Sequence, residues 1–287
     1  MRDTTWAIMP VLAGPQMTED ALSDLLAGPE LTKILIVNQG VDADFRLRLE
    51  KIAEEYEDQI LLWNHVPPLP SLSATWNRAL RFVWETGGTQ ALVVNNDVRL
   101  NRATIEILSM PIKYRGALFV SAVGVTPEQF DPSIKYHGFV GDRTDEGTIV
   151  AEPEEKSIEI DQRGGPDFSC FLISKAGHEK YPFDEAYIPA YGEDIDMHRR
   201  YLLGGDGERI FSINLPFQHE RSGTLRNLSD AQRTALERRL GASREYHALK
   251  WGGQPGAERF TIPFTPESAQ DGVTTSDLQA KVLAPQE

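Results

Sequence analysis

The sequence predicts an α/β fold with a mostly parallel central sheet. Short β-branched runs alternate with segments of helical period through the first 125 residues. Each run stops in polar residues, and the alternation gives way after residue 125 to loops, short strands and a long charged helix. Strands joined by helices pair in parallel through right-handed crossovers, so the first half reads as Rossmann-like.

The elements follow in order. Trp6–Leu12 reads as a strand, and Asp20–Leu26 carries helical spacing. Lys33–Val37 is a run of the kind buried on both faces. Asp42 is placed to cap a helix whose apolar positions are Phe45, Leu49, Ile52 and Tyr56. Gln59–Trp63 is a third strand, Ser73–Trp84 a helix, Ala91–Val94 a fourth strand and Ala117–Ala122 a fifth. Residues 126–165 are rich in Gly, Pro and charge and predict loops with short strands. Phe168–Ser174 predicts a strand, Asp194–Leu203 a helix and Ile210–Leu215 another strand. Ser229-Asp-Ala-Gln232 matches a capping box for a helix running towards Leu249. From Thr265 the chain is polar and aperiodic, which predicts a disordered tail.

Composition narrows the function. Lys plus Arg number 29 against 43 Asp plus Glu, a net charge of −14 that disfavours duplex nucleic acid as a partner. The Arg-rich stretch Arg221–Arg244 is the one basic candidate, and a solvated helix face explains it. No apolar run approaches the roughly 20 residues that span a bilayer. The N-terminus lacks the pattern of a secretory signal. A single cysteine, Cys170, sits in an apolar run and reads as a small buried hydrophobe. Without a possible internal disulfide, the expected compartment is the cytoplasm.

No Gly-x-Gly-x-x-Gly follows the first strand, and no Walker A loop is present. Open α/β sheets place ligands beyond the carboxyl ends of their strands. Those ends read Val37-Asn-Gln-Gly, Trp63-Asn-His and Val94-Asn-Asn-Asp97. Asp97 stands where a carboxylate can hold a hard divalent cation, although Asn-Asn-Asp is also good turn chemistry. Glu193, Asp194 and Asp196 open a helix, where the macrodipole alone favours carboxylates. A carboxylate there can also serve as a general base. If Asp194 and Asp196 straddle the first turn, one faces the site while the other anchors loops. His219 follows a strand; a lone histidine is commonly a hydrogen-bonding residue, yet imidazole also suits manganese-like ions.

Taken in order, these segments resemble the GT-A glycosyltransferases, in particular the family 2-like group. The matching stretches are Leu92-Val-Val-Asn-Asn-Asp-Val98, Cys170–Ser174, Tyr181-Pro-Phe-Asp-Glu185, Tyr191-Gly-Glu-Asp-Ile-Asp-Met-His-Arg-Arg200 with Gly204-Gly205, and His219-Glu-Arg-Ser-Gly-Thr224. Asn64 and Asn77 resemble asparagines that precede the family's metal motif. Tyr246–Gly253 with Pro263-Phe264 is similar to a C-terminal element of some members. The resemblance spans about residues 6–264.

It implies a GT-A fold with a C-terminal helical extension. Residues 1–125 would form the nucleotide-sugar half, 126–227 the acceptor and catalytic half, 228–264 the extension and 265–287 the tail. It implies Asp97 and His219 as ligands of Mn²⁺ or Mg²⁺, Asp194 as catalytic base and Glu193 as its alternate. Asn38, Asp42, Asn64, Asn77, Asn96 and Asp97 would bind or support the donor. Asn95 stands where many members carry aspartate, which removes one charge. The implied reaction is an inverting transfer from a nucleoside diphosphate sugar, UDP-linked by preference. The acceptor class stays open between protein, glycan, lipid-linked sugar and modified nucleobase. A nucleotidyltransferase or a non-catalytic carbohydrate-binding protein on the same sheet are the alternatives. The first normally has a basic Gly-rich loop, which Ala13-Gly-Pro-Gln16 does not supply.

Overall fold

A computed structural model of the chain describes residues 5–28, 31–65, 67–131, 149–150, 159–161, 167–219 and 230–265. The strands are β1 (Thr5–Val11), β2 (Leu31–Asn38), β3 (Ile60–Asn64), β4 (Gln90–Val94), β5 (Val98–Arg99), β6 (Phe119–Val125), β7 (Ile149–Val150), β8 (Glu159–Asp161), β9 (Cys170–Ser174) and β10 (Ile210–His219). The helices are α1 (Pro15–Leu26), α2 (Ala43–Glu55), α3 (Leu72–Glu85), α4 (Thr104–Arg115), α5 (Lys175–Lys180), α6 (Glu193–Leu203) and α7 (Asp230–Trp251). The strands form one sheet in the order β3-β2-β1-β4-β9-β6-β10-β8-β7, with β5 paired to β10.

The half β3-β2-β1-β4 is parallel throughout. Strand β9 then inserts antiparallel between β4 and β6, and β6 pairs β10 in parallel. Alternation of side chains sends Ala7, Met9 and Val11 to one face and Trp6 and Ile8 to the other. The first face packs on α1, α2 and α4 through Leu22, Leu25, Phe45, Leu49 and Ile105. The second packs on α3 and α6 through Trp76, Leu80, Val83, Met197 and Tyr201. Cover on both faces explains why β4 is buried at every position. Each enclosed Leu, Ile or Val there contributes about 1.5–3 kcal/mol of transfer free energy.

Several expectations change. Strand β10 runs on past Leu215 to His219, beyond Pro216, which in the sequence reads as a strand terminator. The ladder with β6 tolerates it through a register shift between Ser212 and Pro216. Helix α4, with Pro111 inside it, is not predicted at all. Helix α7 runs from Asp230 to Trp251, but its expected cap Ser229 lies outside the described residues. So do Glu220–Thr224 and most of 126–165, together with 266–287, nearly all of the expected tail. Among the described residues, no helix is long and apolar enough to cross a membrane.

Candidate active site

Strand order reverses between β1 and β4, since β1 leads outward to β2 and β4 leads inward to β9. A crevice at the carboxyl ends of two such strands is where open α/β sheets bind ligands. Asn96 fixes this junction, donating to the Ala13 carbonyl at 2.7 Å and to Thr18 Oγ1 at 2.8 Å. The chain then turns at Asp97 and enters β5, which pairs antiparallel with the end of β10 and sets Val98 opposite His219. Arg99 pins β5 to α1 with two bonds to Asp24, from Nε at 2.7 Å and from Nη2 at 3.0 Å.

This pairing brings Asp97 and His219 together across 122 positions of sequence, with Oδ1 and Nε2 3.6 Å apart. Both side chains are largely enclosed, at 6% and 17% exposure. At that separation Asp97 and His219 are the residues that would hold a divalent ion at this edge. The carboxylate oxygen suits Mg²⁺ or Mn²⁺, and the imidazole nitrogen beside it favours the transition-metal ion Mn²⁺ over Mg²⁺. Among the described residues no group of three or more His, Cys, Asp or Glu is placed to hold a metal ion. The pair therefore fits an ion whose remaining positions are filled by ligand oxygens and water.

Helix α6 brings the second set of acids. Tyr191 at φ 74° and Gly192 at φ 106° make a left-handed turn directly before Glu193. Tyr191 is half exposed, and burial, then Glu193 and then Asp97, push its hydroxyl above the ordinary tyrosine range. One phenol thus senses both the α6 acids and the β4 end. Glu193 is 5% exposed, and burial, with Asp194 as the next cause, raises its carboxyl to about 8. Its Oε2 has no hydrogen-bond partner among the described residues. Asp194 sits half-buried on the same turn, its Oδ1 accepting only from the Ile195 amide at 2.8 Å among the bonds seen.

Asp196 has the other role. It is fully buried and accepts from Lys250 Nζ at 2.5 Å, Arg200 Nε at 2.8 Å and Trp251 Nε1 at 2.9 Å. It is the anchoring acid of the pair and is unavailable as a base.

The asparagines expected at the donor are placed differently. Asn38 ends β2 on the ligand-bearing edge, but its oxygen accepts from the Gly40 and Val41 amides and its nitrogen donates to Asn64 at 2.8 Å. Asp42 caps α2, accepting from the Phe45 amide at 2.8 Å. Asn77 takes the supporting form of its expected role: it is 2% exposed and all four of its hydrogen-bonding positions are filled within the protein. Direct contact with a donor is replaced by holding the Phe183–Glu185 loop. Behind it, Trp84 Nε1 donates to His178 Nδ1, so His178 Nε2 carries the proton donated to Asn77. Burial lowers His178 to about 4, keeping it neutral. Cys170 is fully buried, and burial pushes its thiol above the ordinary range, in keeping with a packing role.

Sequence reasoning missed Tyr187 and Ser243, and marked Lys250 and Trp251 only as part of Tyr246–Gly253 without a role; all four surround the α6 turn. The apolar and basic spacing of Tyr246–Trp251 was the available signal. Two concave surfaces among the described residues, of about 450 and 490 Å³, are not lined by Asp97, His219, Glu193 or Asp194.

No protein-family model matches the sequence, and no curated protein matches it. Solved structures do. Mannosyltransferase PcManGT from Pyrobaculum calidifontis, in complex with GDP-Man and Mn²⁺, matches with TM-score 0.58 at 13% identity, over 89% of this chain and 67% of that one. Glucosyl-3-phosphoglycerate synthase from Mycobacterium tuberculosis, with Mn²⁺, UDP and glucosyl-3-phosphoglycerate, matches with TM-score 0.53 at 14% identity, over 84% and 78%. GalNAc-T7 with UDP, GalNAc and Mn²⁺ matches with TM-score 0.53 at 9% identity, over 75% and 43%. The chain has the GT-A fold of these glycosyltransferases.

Proposed function

We propose that the protein is a metal-dependent glycosyltransferase that moves a sugar from a nucleoside diphosphate sugar to an acceptor hydroxyl with inversion. The observation that carries this reading is the meeting of Asp97 and His219, 3.6 Å apart, at the strand ends where a GT-A sheet presents its ligand. The fold likeness and the nucleotide and Mn²⁺ complexes of the similar structures support it. A UDP-sugar is the first donor to test.

Asp97 stands at this edge as a buried carboxylate, so a diphosphate meets repulsion there unless a cation intervenes. A divalent ion on Asp97 and His219 would neutralise charge on the departing diphosphate. The chain's own residues supply the rest. Asp194, the accessible carboxylate of the α6 turn, accepts the acceptor's proton. The freed oxygen bonds to the anomeric carbon from the face opposite the diphosphate, and the carbon–oxygen bond to the diphosphate breaks. Glu193 is enclosed and largely protonated at neutral pH, so it donates a hydrogen bond rather than taking the proton. Tyr191 stands at the mouth with an exposed ring, suited to covering a bound sugar.

Incubation with UDP- and GDP-sugars, following release of nucleotide with and without Mn²⁺, tests the reading. Metal-dependent release from one donor is expected. Cleavage to nucleoside monophosphate would point to nucleotidyl transfer instead, and sugar binding without turnover to a non-catalytic role.

A further inference from the structure

The turn bearing Glu193 and Asp194 is poorly held by its own residues. Gly192 supplies no side-chain cap, and Tyr191 occupies a left-handed conformation that costs a non-glycine residue about 1 kcal/mol or more. Its support comes from α7. Upstream of the turn, Ser243 Oγ lies 3.1 Å from the Ile188 carbonyl and 3.2 Å from that of Ala190, its one hydroxyl proton shared between them. Downstream, Lys250 and Trp251 hold Asp196, the fourth residue of α6, whose amide donates to the Gly192 carbonyl at 2.9 Å. Beneath the turn, the Tyr187 ring lies so close to Gly192 that an added Cβ would come within 2.7 Å of it. The Tyr187 hydroxyl is in turn bonded to His247 of α7 at 2.9 Å.

Resting on the function proposed above, we propose that α7 is a clamp for the acidic turn, with Ser243, Lys250 and Trp251 as positioning residues. They grip both flanks of a strained segment, at the Ile188 and Ala190 carbonyls on one side and at Asp196 on the other. The sheet edge that holds the donor is built without α7, from β1, β4, β5 and β10. Loosening α7 therefore separates two properties that a general loss of folding would lower together.

The test uses the full chain with Ser243→Ala, Ser243→Thr and Trp251→Phe, the last removing one hydrogen bond while keeping an aromatic ring, and Lys250→Met as the severe variant. For the donor active with wild type, Trp251→Phe and Ser243→Ala should lower kcat by on the order of 10²-fold, the cost of misplacing a reacting group by about 1 Å. Nucleotide Kd in Mn²⁺ should stay within about twofold, and Ser243→Thr should restore kcat. Hydrogen exchange supplies an arm independent of the reaction: amides of 191–197 should exchange faster in the variants, while those of β1 and β4 keep wild-type protection. Unchanged exchange in 191–197, or faster exchange with unchanged kcat, overturns the clamp. A wild-type protein that turns over no nucleotide sugar sinks the function instead, and the exchange arm still decides the clamp.

Discussion

Glu193 makes a sharp prediction about stability. Replace it by Gln, which has nearly the same shape and mimics the protonated acid. In the folded chain burial and Asp194 hold the carboxyl at about 8, against its ordinary 4.5. The native state thus binds more protons than the unfolded state between those values. Stability from this group is complete below pH 4.5 and is lost as pH rises towards 8. Relative to pH 5, the wild type loses about 2–3 kcal/mol by pH 7 and about 4 kcal/mol by pH 9 through this group, at about 1.4 kcal/mol per pH unit of mismatch. Glu193→Gln is free of that loss. Urea denaturation of both proteins at pH 5, 7 and 9 measures it. With a slope of about 3 kcal/mol/M, the midpoints should diverge by about 1.3 M between the extremes, the variant being the more stable at high pH. Curves that stay parallel across the range would refute the burial argument and return Glu193 to candidacy as an ionised base.

Asp194→Asn should lower transfer by about 10²–10⁴-fold, the span a positioned base contributes, with nucleotide binding intact; normal turnover in that variant removes Asp194 from the mechanism. His178 acts in the opposite pH direction to Glu193. Its folded value of about 4 lies below the ordinary 6.5, so the unfolded state binds more protons between them and stability falls as acid is added. The loss is about 2 kcal/mol between pH 7 and 5, and it should vanish in His178→Gln. Both measurements belong in the Glu193→Gln background, because in the wild type the gain from Glu193 over the same pH interval outweighs the loss.

The parallel half of the sheet is legible in the sequence because β2 and β4 are buried on both faces and so read as short uninterrupted apolar runs, Ile34–Val37 and Ala91–Val94. The α2 cap is legible because a cap is a local bond, and Asp42 makes it. Helix α4 is not, since Pro111 interrupts the period that would announce it. The end of β10 is hidden by Pro216, although the position of His219 depends on it. Within the site, the residue types are visible but their division of labour is not. Asp194 and Asp196 differ by two positions, and what separates them is Lys250 and Trp251, more than fifty residues away. Asn77 looks like a ligand-binding asparagine by its neighbours, and only the loop folded against it reveals that its amide is already occupied.

Titration calorimetry of UDP and GDP into the protein, with and without Mn²⁺, addresses the cation site itself. Wild type should bind one of them tightly only when Mn²⁺ is present, and Asp97→Ala and His219→Ala should each weaken that metal-dependent binding by at least the roughly 10–100-fold that even outer-shell partners are worth. Equal nucleotide affinity with and without Mn²⁺, unaltered in both variants, would leave the Asp97–His219 contact a mere ion pair and contradict the account.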